Sequence, residues 1–351
     1  MKTFLFSLGF MAFLGLSFFV FHKAFGSSDT VVASSERRAS EAESVKGDRD
    51  AKDAIPDAVS TPATVPVSFE SRAAAAQILP SKKADVGDLY VAGAHASVVL
   101  DADSGTVLHE EDAHERRQIA SLTKLMTAMI TVERIKNMDE VVTITQEAVY
   151  IEGTKVGCPR SGYCVGNRLK VGEQVSVRNL LKAALMNSAN DAAVSLGMHI
   201  GGTQAGFADI MNKRAAELGL KNTHFCTPSG LEIDGHESEC YSSAYDIAKI
   251  TENALKYDIL WEIMRLPDTI ITSVDGKQSH DIFNTDKILD QYPNLLGTKT
   301  GFTPLAGYSL LAVATDPTKK HRVVSVVLDD SQRWQDIQHM FNWAFTSFTW
   351  Q

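Results

Sequence analysis

Short apolar runs bounded by turn residues occur at both ends of the region that begins near Leu89. Runs of this length, rich in β-branched residues, predict β-strands. The predicted strands cover residues 96–102, 106–109, 298–303, 308–315 and 322–328. Residues 103–105, with the sequence Asp-Ser-Gly, predict a turn that joins the first two strands.

The stretch between these strands has apolar residues at helical spacing. One helix is predicted to begin at Ser121, and another to run through His199 with Asp191 as its N-cap. Further helices are predicted at 177–186, 204–218, 243–256 and 332–348. This order predicts an α+β fold in which one antiparallel sheet is formed by both chain ends. A helical region lies beside the sheet, with a cleft at the junction.

Residues 4–21 form a run that is apolar except for small and hydroxyl residues. The run is just long enough to span a membrane, and it is long for the apolar part of a cleaved signal peptide. Small residues at 24–28 leave cleavage open. We expect residues 1–25 to be a signal anchor or a signal peptide. The protein is then extracytoplasmic, either tethered to the cytoplasmic membrane or secreted.

Residues 26–85 have a different composition, with Ala, Ser, Val, charges of both signs and scattered prolines. No helical or strand period persists there, and large aliphatic residues are scarce. Such a segment cannot bury enough apolar surface to offset the entropy lost on ordering. We therefore expect a disordered stalk at 26–85, followed by one folded domain at 86–351.

The net charge of -9, without any basic stripe, argues against nucleic acid as a partner. The four cysteines form two local pairs, Cys158 with Cys164 and Cys226 with Cys240. Neither CxxC nor HxxxH spacing occurs, so no zinc site is predicted. We expect two structural disulfides in an exported protein, with free thiols as the alternative.

Ser121 and Lys124 lie three residues apart at the start of a predicted helix, so their side chains face the same way. A serine hydroxyl becomes an effective nucleophile when a base lies within hydrogen-bond reach. Lysine supplies that base if burial and neighbouring positive charge favour its neutral form. By itself the spacing is also typical of an N-capping serine followed by a surface lysine.

Two further polar clusters have both a structural and a functional interpretation. Residues 188–190, Ser-Ala-Asn, interrupt a helical run. They form either a turn between helices or a proton-relaying hydroxyl near Lys124 with a substrate-binding amide. Residues 299–301, Lys-Thr-Gly, open a predicted strand at a sheet edge, where an extended substrate can pair with the backbone. A simple strand entry is the alternative.

The motifs S-x-x-K, S-x-N and K-T-G, in this order, resemble those of penicillin-binding proteins and serine β-lactamases. Longer stretches resemble the low-molecular-mass D-alanyl-D-alanine carboxypeptidases, over roughly residues 90–350. These stretches are VVLDADSGTVLHE, IASLTKLMTAM, ALMNSANDAAVSLG, LGLKNTHF, TPSGL, YSSAYDIAKI and GTKTGFTPLAGYSLLAVA. The resemblance implies the transpeptidase fold of penicillin-binding proteins and β-lactamases. It also implies a serine carboxypeptidase that acts on the D-Ala-D-Ala end of peptidoglycan stem peptides, with β-lactams as covalent inhibitors.

The resemblance implies that three residues carry the catalytic steps. Ser121 forms the acyl-enzyme, Lys124 accepts the serine proton, and Ser188 passes a proton to the leaving D-alanine. This route requires no metal or organic cofactor.

The resemblance also implies a substrate-binding set, which consists of Asn190, Lys299, Thr300, Gly301, Phe302 and Arg333. Asn190 contacts the substrate backbone, and Lys299 and Thr300 bind the region of the terminal carboxylate. The N–H groups of Ser121 and Phe302 form the oxyanion hole. Arg333 assists carboxylate binding.

The sequence departs from the family's pattern at two places. Phe302 stands where histidine often follows K-T-G, and we expect this to alter the shape of the pocket without loss of activity. Residues 157–167, with two cysteines, resemble an insertion near the mouth of the active site. A disulfide there would stiffen the rim.

Three other functions stay open at this point. A D,D-endopeptidase of peptidoglycan cross-links uses the same machinery, and the sequence does not separate it from a carboxypeptidase. A β-lactamase is disfavoured, because class A enzymes add a deacylating Glu and no E-x-x-L-N-like loop lies between Ser188 and Lys299. A catalytically inactive wall-binding protein is disfavoured because all three motifs are intact. The expected partners are peptidoglycan and the membrane.

Overall fold

The computed structural model describes residues 78–158 and 167–351. Its main sheet has five strands, namely β2 (Ala96–Asp101), β3 (Val107–Glu111), β8 (Leu295–Thr303), β9 (Gly307–Thr315) and β10 (Arg322–Leu328). They are antiparallel and lie in the order β3-β2-β10-β9-β8. The strand that carries Lys299, Thr300 and Gly301, β8, therefore lies at an edge of the sheet, as predicted.

Three two-stranded sheets complete the β-structure of the described residues. They pair β1 (Pro80–Lys82) with β11 (Phe348–Trp350), β4 (Val141–Thr143) with β5 (Gln174–Ser176), and β6 (Thr269–Thr272) with β7 (Ser279–Ile282). The sequence analysis predicted none of the three. Their strands are only three or four residues long, too short to show a period of alternation.

The helices lie mainly between β3 and β8 in the chain. They are α1 (Lys124–Arg134), α2 (Gln146–Tyr150), α3 (Val177–Leu185), α4 (Asn190–Gly201), α5 (Gln204–Glu217), α6 (Ala244–Ala254), α7 (Asp258–Met264) and α8 (Arg333–Ser347). Single 3-10 turns cover Ala120–Thr123 and Glu237–Glu239. The helices predicted from the apolar spacing are present, while the short helices α2 and α7 were not predicted.

Alternating side chains of the main sheet enter two separate cores. On β2, Val98 and Leu100 pack with the helices between β3 and β8, whereas Val99 packs against α8. The same alternation on β10 sends Val324 and Val326 to the first core. The sheet thus has helices on both faces, and the predicted α+β architecture is confirmed.

Two details of the prediction are wrong. Asp191 does not cap α4, because that helix begins one residue earlier, after Ala189. The Asp191 carboxylate instead accepts hydrogen bonds from the N–H groups of Val156 and Ala192. The folded part also begins before residue 86, since residues 80–82 of the predicted stalk pair with β11.

The predicted N-terminal membrane segment and most of the predicted stalk lie outside the described residues. Within residues 78–158 and 167–351, none of the helices has the length and apolar character needed to cross a bilayer.

Candidate active site

Ser121 lies in the 3-10 turn that leads into α1, and Lys124 is the first residue of that helix. This turn brings the two side chains together, with Lys124 Nζ 2.7 Å from Ser121 Oγ. The Lys124 side chain is fully buried. The structure therefore excludes the interpretation of Lys124 as a surface lysine.

Two further groups contact Lys124 Nζ from other parts of the chain. Asn190 Oδ1 at the start of α4 and the backbone carbonyl of Ser229 each lie 2.7 Å from it. Asn190 Nδ2 donates to the carbonyl of Glu152 at 2.8 Å, which fixes the orientation of the amide. Since a carbonyl can only accept, Asn190 must present its oxygen to Lys124.

The environment of Lys124 favours the neutral amine. Burial is the main reason that its pKa lies well below the usual value of 10.5, and the charge of Lys299 lowers this pKa further. Asp191 opposes the shift, but burial raises the pKa of that carboxyl to about 6. A neutral lysine can accept a proton, as a general base requires.

Lys299 on β8 is also fully buried and reaches the turn between α3 and α4. Its Nζ donates to Ser188 Oγ at 2.8 Å and to the carbonyl of Thr300 at 2.9 Å. Burial and the charge of Arg333 lower the pKa of Lys299 to about 7. Ser188 has a left-handed backbone conformation, with a φ of 58°, which is uncommon for a residue other than glycine.

Gly301 brings β8 against the turn that carries Ser121. A Cβ atom at this position would lie 2.8 Å from the carbonyl oxygen of Ile119 and 3.2 Å from Leu122 Cγ. Only glycine permits so close an approach of the two backbones. The glycine of the K-T-G motif therefore sets the separation between β8 and Ser121.

A cavity of about 560 Å³ opens between the sheet edge and the helical region. It is lined by Ser121, Gly153, Thr154, Cys158, Asn187, Ser188, Thr285, Lys287, Thr300, Gly301, Phe302, Arg333 and Trp334. Among these described residues the charged side chains are cationic, with Lys299 buried below them. The cavity is thus suited to an anionic ligand.

Arg333 is held in place at this cavity by backbone and aromatic contacts. Its Nη1 donates to the carbonyls of Gly301, at 2.9 Å, and Ser309, at 3.1 Å. Its guanidinium lies 4.9 Å from the centroid of the Tyr308 ring, and Tyr308 stacks on Phe302 at 4.5 Å. The stack orients Arg333 at the cavity wall.

The structure brings together all the residues predicted from the three motifs, but two have contacts other than those expected. Ser188, expected near Lys124, accepts its hydrogen bond from Lys299. Asn190, expected to contact the substrate, has both ends of its amide bonded to protein groups and does not line the cavity. Thr300 lines the cavity, and its hydroxyl donates to Thr285 Oγ1 at 3.2 Å.

The sequence analysis missed several residues of the site, namely Asn187, Ser229, Thr285, Lys287 and Trp334. Ser229 lies within the TPSGL stretch that carried the resemblance, so a signal for it was present. Thr285 and Lys287 lie outside every stretch that was singled out. The expected nearness of residues 157–167 to the mouth holds for Cys158, which lines the cavity.

Cys226 and Cys240 form a disulfide, which confirms one of the two predicted pairs. Cys164 lies outside the described residues, so the pairing of Cys158 with Cys164 stays a prediction. In the parts of the chain that the structure describes, no three His, Cys, Asp or Glu side chains are grouped to hold a metal ion.

The sequence is similar to those of known proteins. A profile of the family described as D-alanyl-D-alanine carboxypeptidase matches residues 83–332. The D-alanyl-D-alanine carboxypeptidase DacF of Bacillus subtilis is 33% identical over 263 residues, which are 73% of this chain and 63% of that protein. The D-alanyl-D-alanine endopeptidase of Pseudomonas aeruginosa is 31% identical over 261 residues, 74% of this chain and 78% of that protein.

A solved structure gives the same result for the fold. Penicillin-binding protein D2 from Listeria monocytogenes, in its ampicillin-bound form, matches with a TM-score of 0.62 and 29% identity, over 74% of this chain and 100% of that one. The chain spans less than two thirds of the length of the carboxypeptidase relatives it matches, 63% for DacF. The family match includes Ser121, Lys124, Ser188 and Lys299, and ends one residue before Arg333.

Proposed function

We propose, because this chain belongs to the D-alanyl-D-alanine carboxypeptidase family, that it removes the terminal D-alanine from peptidoglycan stem peptides through an acyl-enzyme on Ser121. The observation that carries the proposal is the set of three contacts around the buried amine of Lys124. Two of these partners, Asn190 Oδ1 and the Ser229 carbonyl, can only accept hydrogen bonds.

A neutral amine has two N–H groups and one lone pair. When both N–H groups donate to Asn190 and Ser229, the lone pair faces Ser121 Oγ, the only one of the three partners with a proton to give. Lys124 then takes the serine proton as Oγ attacks the carbonyl of the penultimate D-alanine. The N–H groups of Ser121 and Phe302 stabilise the oxyanion of the tetrahedral intermediate.

Collapse of that intermediate breaks the peptide bond and leaves the shortened stem as an ester on Ser121. The departing nitrogen takes up the proton that Lys124 accepted, which the hydroxyl of Ser188 passes on, and Lys124 returns to the neutral amine. Lys299 holds that hydroxyl at 2.8 Å. Water then hydrolyses the ester, which releases the stem and regenerates the serine hydroxyl. Until the D-alanine departs, its terminal carboxylate is attracted by Thr300, Arg333 and Lys299.

The proposal is tested by labelling the full chain with a fluorescent penicillin. A stable adduct on the wild type that is absent from Ser121→Ala supports the acyl-serine mechanism. Rapid turnover of the penicillin, with no lasting adduct, points to a β-lactamase. A folded wild type that never labels contradicts the proposal and favours a wall-binding protein.

A D,D-endopeptidase is the second candidate, and the similarity to the endopeptidase of Pseudomonas aeruginosa favours it. The two activities differ in what the leaving side of the cleft accommodates. Purified muropeptides separate them. Release of D-alanine without loss of cross-linked dimers excludes the endopeptidase, and loss of dimers excludes a pure carboxypeptidase.

We further propose that the protein works outside the cytoplasm, tethered to the cytoplasmic membrane by residues 4–21 or secreted after cleavage. The apolar run supports this location, as does the Cys226–Cys240 disulfide, since such bonds persist in oxidising compartments. Membrane fractionation together with N-terminal sequencing of the mature protein tests it. An intact N-terminus in the cytosolic fraction would contradict it.

A further inference from the structure

Residues 226–240, here named the 226–240 segment, form a loop closed by the Cys226–Cys240 disulfide. The segment contains one 3-10 turn and is otherwise irregular, and Pro228 and Ser229 are its only buried residues. It therefore has no hydrophobic core of its own. Its conformation depends on the disulfide and on hydrogen bonds to its neighbours.

The buried part of the segment lies directly against the catalytic helix. The Ser229 carbonyl accepts from Lys124 Nζ, and the Pro228 carbonyl accepts from Thr127 Oγ1 one turn later, both at 2.7 Å. Gly230 has a φ of 80°, and a Cβ atom there would lie 2.0 Å from the carbonyl oxygen of Ala120. The backbone at Gly230 therefore packs directly against the Ser121 turn, and the Lys124 side chain beneath it is fully buried.

The rest of the segment is tied to the other wall of the site. Thr303 Oγ1, at the end of β8, donates to Glu232 Oε1 at 2.5 Å. Gln118 Nε2, just before the Ser121 turn, donates to the carbonyl of Glu237 at 3.1 Å. The 226–240 segment thus spans from the Ser121 turn to the sheet edge.

We propose that the disulfide-closed 226–240 segment is a positioning element for the acylation step, because it holds the Ser229 carbonyl against Lys124 and keeps water from the amine. This inference rests on the proposed function. It adds that a part of the chain outside the three motifs sets the direction of the Lys124 lone pair.

The physical reason lies in the number of acceptors around the amine. If the Ser229 carbonyl moves away, one N–H of Lys124 loses its acceptor. That N–H can then donate to Ser121 Oγ instead, so the lone pair no longer faces the serine. Water also enters beside Nζ. Because burial is what chiefly lowers the pKa of Lys124, this entry raises that pKa and leaves less neutral amine at a given pH.

The other charged groups that act on Lys124 belong to different elements. Lys299 lies on β8 and Asp191 lies in the first turn of α4. Neither residue is part of the 226–240 segment, so opening its disulfide leaves both in the protein. A change in the pH dependence of acylation on opening the disulfide is then an effect of the 226–240 segment on Lys124.

The test compares the full-length wild type with the double variant Cys226→Ser, Cys240→Ser. The acylation rate constant and the non-covalent dissociation constant for a fluorescent penicillin are measured separately from pH 5 to 10. We expect acylation at neutral pH to slow by about 10- to 100-fold with little change in the dissociation constant. The rising limb of the rate profile should move to higher pH, by about one unit or more.

Thr127→Val is the second variant, because it removes the hydrogen bond from Thr127 Oγ1 to the Pro228 carbonyl and leaves the disulfide intact. It should move the rising limb in the same direction by a smaller amount. Glu237→Gln, which alters only an exposed contact to Gly235 in the same segment, is the matched control and should behave as the wild type. Thermal unfolding of each variant confirms that the domain is folded.

The outcomes separate this inference from the proposed function. A wild type that is not acylated contradicts the proposed function, and the inference with it. A wild type that is acylated, beside folded double and Thr127→Val variants whose rising limbs stay in place, contradicts the positioning role alone. In that case the disulfide only stabilises the fold.

Discussion

Lys299 Nζ lies 2.8 Å from Ser188 Oγ, so the lysine of the third motif is bonded to the serine of the second. This contact joins the edge strand β8 to the turn before α4, across the floor of the cavity. It also places a lysine whose pKa is about 7 directly below the proposed carboxylate site. Its charge therefore changes within the physiological pH range.

This pKa predicts a pH-dependent affinity for carboxylate ligands. Lys299 is charged below about pH 7 and neutral above it, so its attraction for a terminal carboxylate is present at pH 6 and lost by pH 8. We expect a peptide ending in D-alanyl-D-alanine to bind about tenfold more weakly at pH 8 than at pH 6. A tenfold change corresponds to the loss of about one charge-assisted hydrogen bond. Competition against fluorescent penicillin at each pH measures this affinity.

The same peptide with a C-terminal carboxamide is the control, since it has no anionic charge to lose. Its affinity should change little between pH 6 and 8. Equal pH dependence of the two peptides would show that Lys299 does not act on the carboxylate.

Replacement of the proposed base provides a second prediction. Lys124→Met keeps an unbranched side chain in the buried site but removes the amine, so acylation by penicillin should fall by about 10²- to 10⁴-fold. The acceptors on Asn190 and Ser229 lose their donor, and we expect the free energy of unfolding to fall by about 1–3 kcal/mol. Labelling kinetics and denaturant titration measure the two effects.

Lys136→Met is suited as the control, because Lys136 Nζ also donates to a carbonyl, that of Val132. Lys136 lies just after the end of α1 and does not line the site cavity. It should label at the wild-type rate. Wild-type labelling by Lys124→Met itself would mean that another group accepts the serine proton.

Gly301→Ala tests the separation between β8 and the Ser121 turn. The added Cβ atom meets the carbonyl of Ile119 at 2.8 Å, so the strand must move away from that turn. We expect acylation to slow about tenfold or more, since misplacement by a fraction of an ångström already disturbs an oxyanion hole. The variant Gly87→Ala, where a Cβ has no neighbour within 4 Å, is the matched control.

Phe302→Ala tests the aromatic stack beside Arg333. Phe302 is 52% exposed, so its loss should alter the free energy of unfolding little. It removes the stacking partner of Tyr308, which contacts Arg333, and such pairs contribute about 0.5–1.5 kcal/mol. We expect KM for a D-alanyl-D-alanine peptide to rise by up to about tenfold with kcat nearly unchanged, as steady-state kinetics would show.

Tyr90→Ala is the control for the loss of an exposed aromatic ring, because Tyr90 is 71% exposed and does not line the site cavity. A fall in kcat with an unchanged KM for Phe302→Ala would place Phe302 in the chemical step instead.

Short-range patterns in the sequence were sufficient to predict most of the helices and strands. The apolar runs of β2, β9 and β10 and the helical spacing in α1 and α5 determine those elements, and the order of elements determines the sheet. The three motifs located Ser121, Lys124, Ser188 and Lys299. These are positions where one short stretch of sequence contains the whole signal.

Contacts between distant parts of the chain could not be predicted in this way. The Ser229 carbonyl reaches Lys124 across 105 residues, and a backbone group has no signature in the sequence. Asp191 has the residue type of an N-cap, but its carboxylate bonds to Val156, 35 residues away. Tertiary packing thus overrode a correct local preference.

The pairing of β1 with β11 has a mechanical consequence. Leu79 and Gln351 exchange two backbone hydrogen bonds, and Lys83 bonds to the carbonyls of Thr346 and Ser347. A force applied at Leu79 loads these bonds one after another. When they have opened, the segment from Leu79 to Lys83 is free and extends by about 15 Å. We expect the short pairing of β1 with β11 to open at a lower force than the pairing of β8 with β9, so that moderate tension leaves the spacing between Gly301 and Ser121 unchanged.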